Sequence, residues 1–233
     1  MTDKILGVLG GMGPLASAQF MMRLTLLTPA SKDQDHIPTV LWSDPRVPDR
    51  GNPLPGVHPL PVMLRGIEGL KQAGCGAVVI PCNTAHAWYD EMVAAAGIPI
   101  PHIVDAAAAD LTRMGIKPGR IGLMATPTTL RLKLYQQRLA RLGWDCLVPT
   151  DEQMTGLVSP AIAQVKANHV RDAFEPLAEV VNDLAARGAA AVVLGCTEIP
   201  LGILAGPADR LRAPVVDTID SLARAAIAWA RGR

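Results

Sequence analysis

The sequence predicts an α/β fold made of two pseudo-symmetric parallel-sheet lobes, and three observations carry that expectation. Short apolar runs alternate with stretches of helical spacing. Glycines close several of those stretches. Three segments of the first half recur in the second at a single offset of about 115 residues.

Each element follows from its own residues. Leu6-Gly7-Val8-Leu9 reads as a short buried strand and matches Ile121-Gly122-Leu123-Met124. Pro14 to Thr28 carries apolar residues at helical spacing, Thr39 to Trp42 is a second strand, and Leu60 to Ala73 is a helix closed by Gly74. Ala77-Val78-Val79-Ile80-Pro81-Cys82 matches Ala191-Val192-Val193-Leu194-Gly195-Cys196, so both copies run an apolar strand into a cysteine. In the second half, Leu130 to Leu142 and Phe174 to Ala186 read as helices closed by Gly143 and Gly188. Pro99-Ile100 with Val104-Asp105 matches Pro214-Val215 with Ile219-Asp220. An ancestral unit, duplicated and fused, accounts for all three matches. It sets the expected lobes at 1–104 with 214–233, and 105–213.

With 233 residues, 49% of them hydrophobic, the chain has ample material for a core. A net charge of +1 gives no attraction for a polyanion, and four Trp, two Tyr and two Phe leave little for base stacking, so no nucleic-acid partner is expected. No apolar stretch reaches the roughly 20 residues that span a bilayer, and the first residues lack a signal-peptide pattern. Neither a membrane partner nor export is expected. Four cysteines then point to the reducing cytoplasm, where thiols serve catalysis or packing.

Ligands of parallel sheets bind beyond the carboxyl ends of the strands, which is where Cys82 and Cys196 fall, so the site is expected in a cleft between the lobes. Each cysteine precedes polar residues able to open a helix, Asn83-Thr84 and Thr197-Glu198, and a helix N-terminus lowers a thiol's pKa and attracts a carboxylate. Two thiols on related lobes suit removal of a proton from one face of a carbon and its return to the other. For the α-carbon of an amino acid, Asn83, Thr84 and Thr197 would hold the carboxylate. Arg50 and Lys166, if they face the cleft, would pair with a second carboxylate. The Pro-rich stretch from Pro45 to Pro61 reads as a long loop and a candidate lid.

Other readings compete. Gly11-Met12-Gly13-Pro14-Leu15-Ala16 has the letters of a dinucleotide fingerprint, giving a nicotinamide-dependent enzyme as an alternative. Yet the acid that ends the second strand is Asp44, farther on than that fold requires, so the glycines are read as giving close approach to a smaller ligand. Cys82 and His86 have the spacing of metal ligands, but no third ligand accompanies them and no metal is expected. Cys75 and Cys146 have no counterpart under the repeat and are assigned to structure, in a helix-end turn and a short strand. His36, His58, His102 and His169 are taken as loop or surface residues, and Asp105 and Asp220 as helix caps. A two-lobed protein that binds a small acid without chemistry is the alternative from another class.

Taken together, Gly10-Gly11-Met12-Gly13-Pro14, Pro81-Cys82-Asn83-Thr84-Ala85-His86 and Gly195-Cys196-Thr197-Glu198 resemble the aspartate/glutamate racemase family, and the aspartate racemases within it most. The resemblance implies a pseudo-symmetric α/β pair, no pyridoxal phosphate or other cofactor, a small amino-acid substrate and a homodimer. It also implies Cys82 and Cys196 as acid and base, Asn83, Thr84 and Thr197 at the α-carboxylate, Met12 close to the substrate, and Arg50 and Lys166 as binders of an acidic side chain. The chain departs from glutamate racemases, which usually carry an Asp-Ser-Gly opening and a histidine where this chain has Glu198. Arg46 stands where related aspartate racemases often have an uncharged amide. Relatives on the same scaffold act on hydantoins, maleate or arylmalonates, and the decarboxylases among them keep only one of the two thiols.

Overall fold

The computed structural model describes residues 4–52 and 54–232; Pro53, within the expected lid, lies outside them. Along the chain run β1 (Ile5–Gly10), α1 (Pro14–Leu27), β2 (Thr39–Ser43), α2 (Leu60–Gln72), β3 (Cys75–Val79), α3 (Tyr89–Ala96) and α4 (Ile103–Arg113). Next come β4 (Arg120–Ala125), α5 (Pro127–Arg131), α6 (Leu134–Ala140), β5 (Asp145–Leu147), α7 (Asp151–Gln153), α8 (Ser159–Lys166) and α9 (Phe174–Ala186). The last elements are β6 (Val192–Gly195), α10 (Ile199–Leu204), β7 (Val215–Asp217) and α11 (Thr218–Ala230). The chain forms two compact units, residues 1–106 with 219–233, and 107–218.

The first unit holds a parallel sheet in the order β2-β1-β3. Its core joins Leu9, Met63, Ile67, Leu70 and Val78, with Cys82 among the packed residues. The segment 219–233 closes this unit: Arg23 makes a two-pronged ion pair with Asp220 at 2.5 and 2.7 Å, and Lys4 Nζ donates to the Trp229 carbonyl at 2.9 Å. Asp220 therefore pairs with an arginine of α1, and both it and Asp105 lie within the first turn of their helices rather than capping them.

The second unit holds a parallel sheet in the order β5-β4-β6-β7. Val158, Leu177, Val181, Leu184, Val192 and Leu194 form its core, and Cys196 packs among them. Residues 214–218, expected with the first lobe, belong here because β7 pairs with β6. The duplication is written into single hydrogen bonds. Val78 N donates to Pro99 O at 3.0 Å in the first unit, and its equivalent Val192 N donates to Pro214 O at 2.9 Å in the second.

Gly74 and Gly188 end their helices at φ +84° and +94°, the left-handed conformation that glycine adopts without a Cβ penalty. The helix expected from Leu130 to Leu142 is instead two, α5 and α6, because Lys133 between them takes φ +54°. Cys75, expected in a turn, opens β3.

Burial, with the charge of Asp145, pushes the Cys146 thiol up to about 12, and burial raises Cys75 too. Such a thiol stays protonated in the native state while the unfolded chain ionises from its ordinary value of 9.0, so its contribution is complete below that value and is lost as pH climbs toward 12. Cys146→Ala should therefore flatten the fall of Tm across that window, as read by calorimetry; an unchanged slope would show that Cys146 ionises in the native state as readily as in the unfolded one.

Candidate active site

The glycine loop after β1 is held from within. Gly11 sits at φ +90°, and a Cβ there would run into the backbone of Asp44. Its amide donates to Ser17 Oγ at 2.9 Å, while that hydroxyl donates to Gly13 O at 2.8 Å. Gly11 thus lets the loop pack closely on the backbone of Asp44. Met12 is buried in the core of the first unit, and its carbonyl accepts from Arg50 Nη2 at 3.0 Å. Arg50 Nη1 donates to the carbonyls of Pro48 at 3.1 Å and Val47 at 3.3 Å. Expected on a lid and aimed at substrate, this arginine pins its loop to the glycine loop.

Cys82 does not end its strand: β3 stops at Val79, and Cys82 lies in the turn beyond, its amide donating to Ile80 O at 2.8 Å. The chain then enters a 3₁₀ turn, Thr84–Trp88, which runs straight into α3; Asn83 stands at its N-cap position without a side-chain cap bond. Cys82, Asn83, Thr84 and His86 are all buried. Nδ1 of His86 lies 3.0 Å from the Cys82 carbonyl oxygen, so the ring faces the backbone of the cysteine. His102, in the loop before α4, is buried beside it with 4.9 Å between ring centroids. Among the described residues, no group of three or more His, Cys, Asp or Glu side chains is placed to hold a metal ion.

Cys196 comes directly after β6 and is buried, as are Thr197 and Glu198. Its Sγ donates to Glu198 Oε2 at 3.1 Å, and the Thr197 hydroxyl donates to the same oxygen at 3.4 Å. Burial first, and then the charge and acceptor oxygen of Glu198, push the Cys196 thiol well above its ordinary value; the Lys166 ammonium and the Glu198 amide work in the opposite sense. This reverses the expected acidification. Helix α10 is only six residues long, so its dipole is small beside a buried carboxylate in contact with the sulfur.

Lys166 is an exposed residue in the last turn of α8, whose entry is a π-helical turn at Met154–Val158. Within one unit, Cys196 and Thr197 share Glu198 Oε2 as acceptor, and Lys166 acts electrostatically on Cys196. Met12 and Arg50 join each other, in the unit that also holds Cys82, Asn83 and Thr84.

Tyr135 was missed by sequence reasoning. It is fully buried, hydrogen-bonded to the Thr218 side chain, and packed so that a Cβ on Gly195 would lie 3.2 Å from its ring. Burial, reinforced by the neighbouring Cys196, pushes its hydroxyl well above the ordinary range. The only signal is scarcity, since the chain has two tyrosines; the other, Tyr89, is half-buried with its ring 6.0 Å from that of His86.

Two copies of one parallel α/β unit, each carrying a buried cysteine just past the same strand, define a class of duplicated α/β enzymes with a repeated thiol motif. The family model for Asp/Glu/Hydantoin racemase matches residues 9–226, and the chain belongs to that family. Its fold superposes on Picrophilus torridus aspartate racemase with a TM-score of 0.83 and 31% identity, over 99% of this chain and 95% of that one. The broad specificity amino-acid racemase RacX of Bacillus subtilis is 24% identical over 96% of both chains. Glutamate racemase from Francisella tularensis, solved in complex with D-glutamate, shares the fold at a TM-score of 0.74 and 16% identity, over 100% of this chain and 82% of that one. Among the described residues, no helix is long and apolar enough to cross a membrane.

Proposed function

We propose that the protein racemises an amino acid, aspartate or another acidic one, with Cys82 and Cys196 alternating as base and acid at the α-carbon and without pyridoxal phosphate or metal. The observation that carries this reading is the Cys196 thiol held on Glu198 Oε2 at 3.1 Å. A thiol kept protonated in a buried site is a proton donor in waiting, and racemisation needs one such donor opposite a base. In one direction Cys82 removes the α-proton and Cys196 returns one to the other face; in the reverse direction the roles exchange. Asn83, Thr84 and Thr197 take the α-carboxylate, and Met12 lies close to the substrate. Lys166, whose charge acts on Cys196, draws an acidic side chain, and Arg50 serves it from the loop that it pins to Met12. The 31% identity to an aspartate racemase supports this choice of substrate.

One observation favours a wider range. Arg50 has both terminal nitrogens committed to backbone carbonyls, which weakens its claim on a substrate carboxylate. A catalyst of broad amino-acid specificity, as the RacX relative is named, is therefore the second reading. The working form proposed is a cytoplasmic homodimer, in keeping with exposed Met22 and Leu26 on α1 and Leu41 and Trp42 on the edge strand β2.

Incubation with L- and D-amino acids in deuterated water, followed by NMR, should show loss of the α-proton signal and appearance of the opposite enantiomer. Absence of exchange with every amino acid would overturn the racemase reading. Lys166→Ala should raise KM for aspartate by about tenfold and leave neutral amino acids unaffected; an unchanged KM removes Lys166 from the site.

A further inference from the structure

The two cysteine carbonyls are anchored by different means. In the second unit the Cys196 carbonyl accepts a backbone bond from Ile199 N at 3.1 Å. In the first unit the Cys82 carbonyl is met by a side chain, His86 Nδ1 at 3.0 Å. The position equivalent to His86 in the second unit is Pro200, which has no ring nitrogen to offer.

The His86 ring is itself held. The amide of Ile103, first residue of α4, donates to Nε2 at 3.3 Å, which requires a lone pair there and leaves the proton on Nδ1. Nδ1–H is then the donor to the Cys82 carbonyl. The amide of Val104 is taken by His102 Nδ1 at 3.1 Å, so two neutral imidazoles satisfy the first two amides of α4. Tyr89 packs against the His102 ring at 4.5 Å and donates its hydroxyl to Ile100 O at 2.8 Å.

We propose that His86 is a positioning residue for Cys82: through its Nδ1–H tautomer, fixed by the first amide of α4, it sets the backbone from which the thiol projects. The inference rests on the reading of Cys82 as a working thiol. A purely structural histidine would affect the fold, and with it both cysteines alike. A positioning histidine affects Cys82 alone.

The test uses the full chain with His86→Ala, His86→Asn and His86→Gln. Iodoacetamide labelling of Cys82 and Cys196 is tracked separately by peptide mass spectrometry at fixed pH, beside Tm and the kcat and KM of racemisation. In His86→Ala the Cys82 labelling rate is expected to change by about fivefold to tenfold, with Cys196 within about twofold of wild type. His86→Asn, which places a donor where Nδ1 stood, should bring Cys82 back toward the wild-type rate, and His86→Gln should not. Racemisation should lose kcat with KM nearly constant. Parallel changes at both cysteines, or an unchanged Cys82 in a folded variant, would overturn the proposal. If His86→Ala does not fold, the contrast between His86→Asn and His86→Gln decides it by the same criteria. Failure of the racemase reading is separately visible, since wild-type protein would then exchange no α-proton while the labelling contrast still reports on His86.

Discussion

Cys82→Ser and Cys196→Ser should each lower racemisation by about 10³-fold or more, because a serine hydroxyl is far too weak an acid to replace a thiol in proton transfer at carbon. Both cysteines are buried and packed within the cores of their own units, and sulfur-to-oxygen exchange removes no other heavy atom, so Tm should change little. The informative measurement is exchange of the α-proton in deuterated water, starting from each enantiomer separately. Each variant is expected to lose interconversion of the enantiomers. Full racemisation by either variant would reduce the mechanism to a single base.

Glu198→Gln should produce the second-largest effect, and the contact dictates its sign. Burial and the neighbouring carboxylate raise the Cys196 pKa; the amide keeps the shape but removes the charge. The pH at which Cys196 becomes reactive toward iodoacetamide should therefore move downward, with Cys82 as the unshifted control in the same molecule. With its pKa lowered the thiol remains protonated near neutral pH and is the stronger acid, while its thiolate forms at lower pH, so kcat in the direction that uses Cys196 as base should rise by up to roughly tenfold near neutral pH. A Cys196 profile that stays in place would show that burial alone sets its protonation state.

The backbone of this design was legible in the sequence because duplication preserves strands better than anything else in the chain. Val78 and Val192 could be aligned by letters alone, and they make the same hydrogen bond. The site was legible only in part. Local pattern located both cysteines and the polar residues after them, but the direction of the Cys196 shift depended on how far α10 extends and where the Glu198 side chain turns. Arg50 reaches back 38 positions to Met12, and Tyr135 comes from α6 to Gly195 at the end of β6. Contacts at such separations leave no periodicity to read. The packing of the glycine loop was hidden for a related reason: Gly11 is constrained by Asp44, a residue whose proximity exists only after β1 and β2 have paired.

The first unit is discontinuous, and this bears on how the protein is made. Residues 107–218 are consecutive, so the second unit has all four of its strands on hand before α11 is synthesised. The first unit, begun earliest, still lacks the partners of Arg23 and Lys4 at that moment, because Asp220 and Trp229 come last. During translation the order of completion is then the reverse of the order of synthesis. A nascent chain stalled before residue 219 should carry a finished second unit behind a protease-sensitive first one.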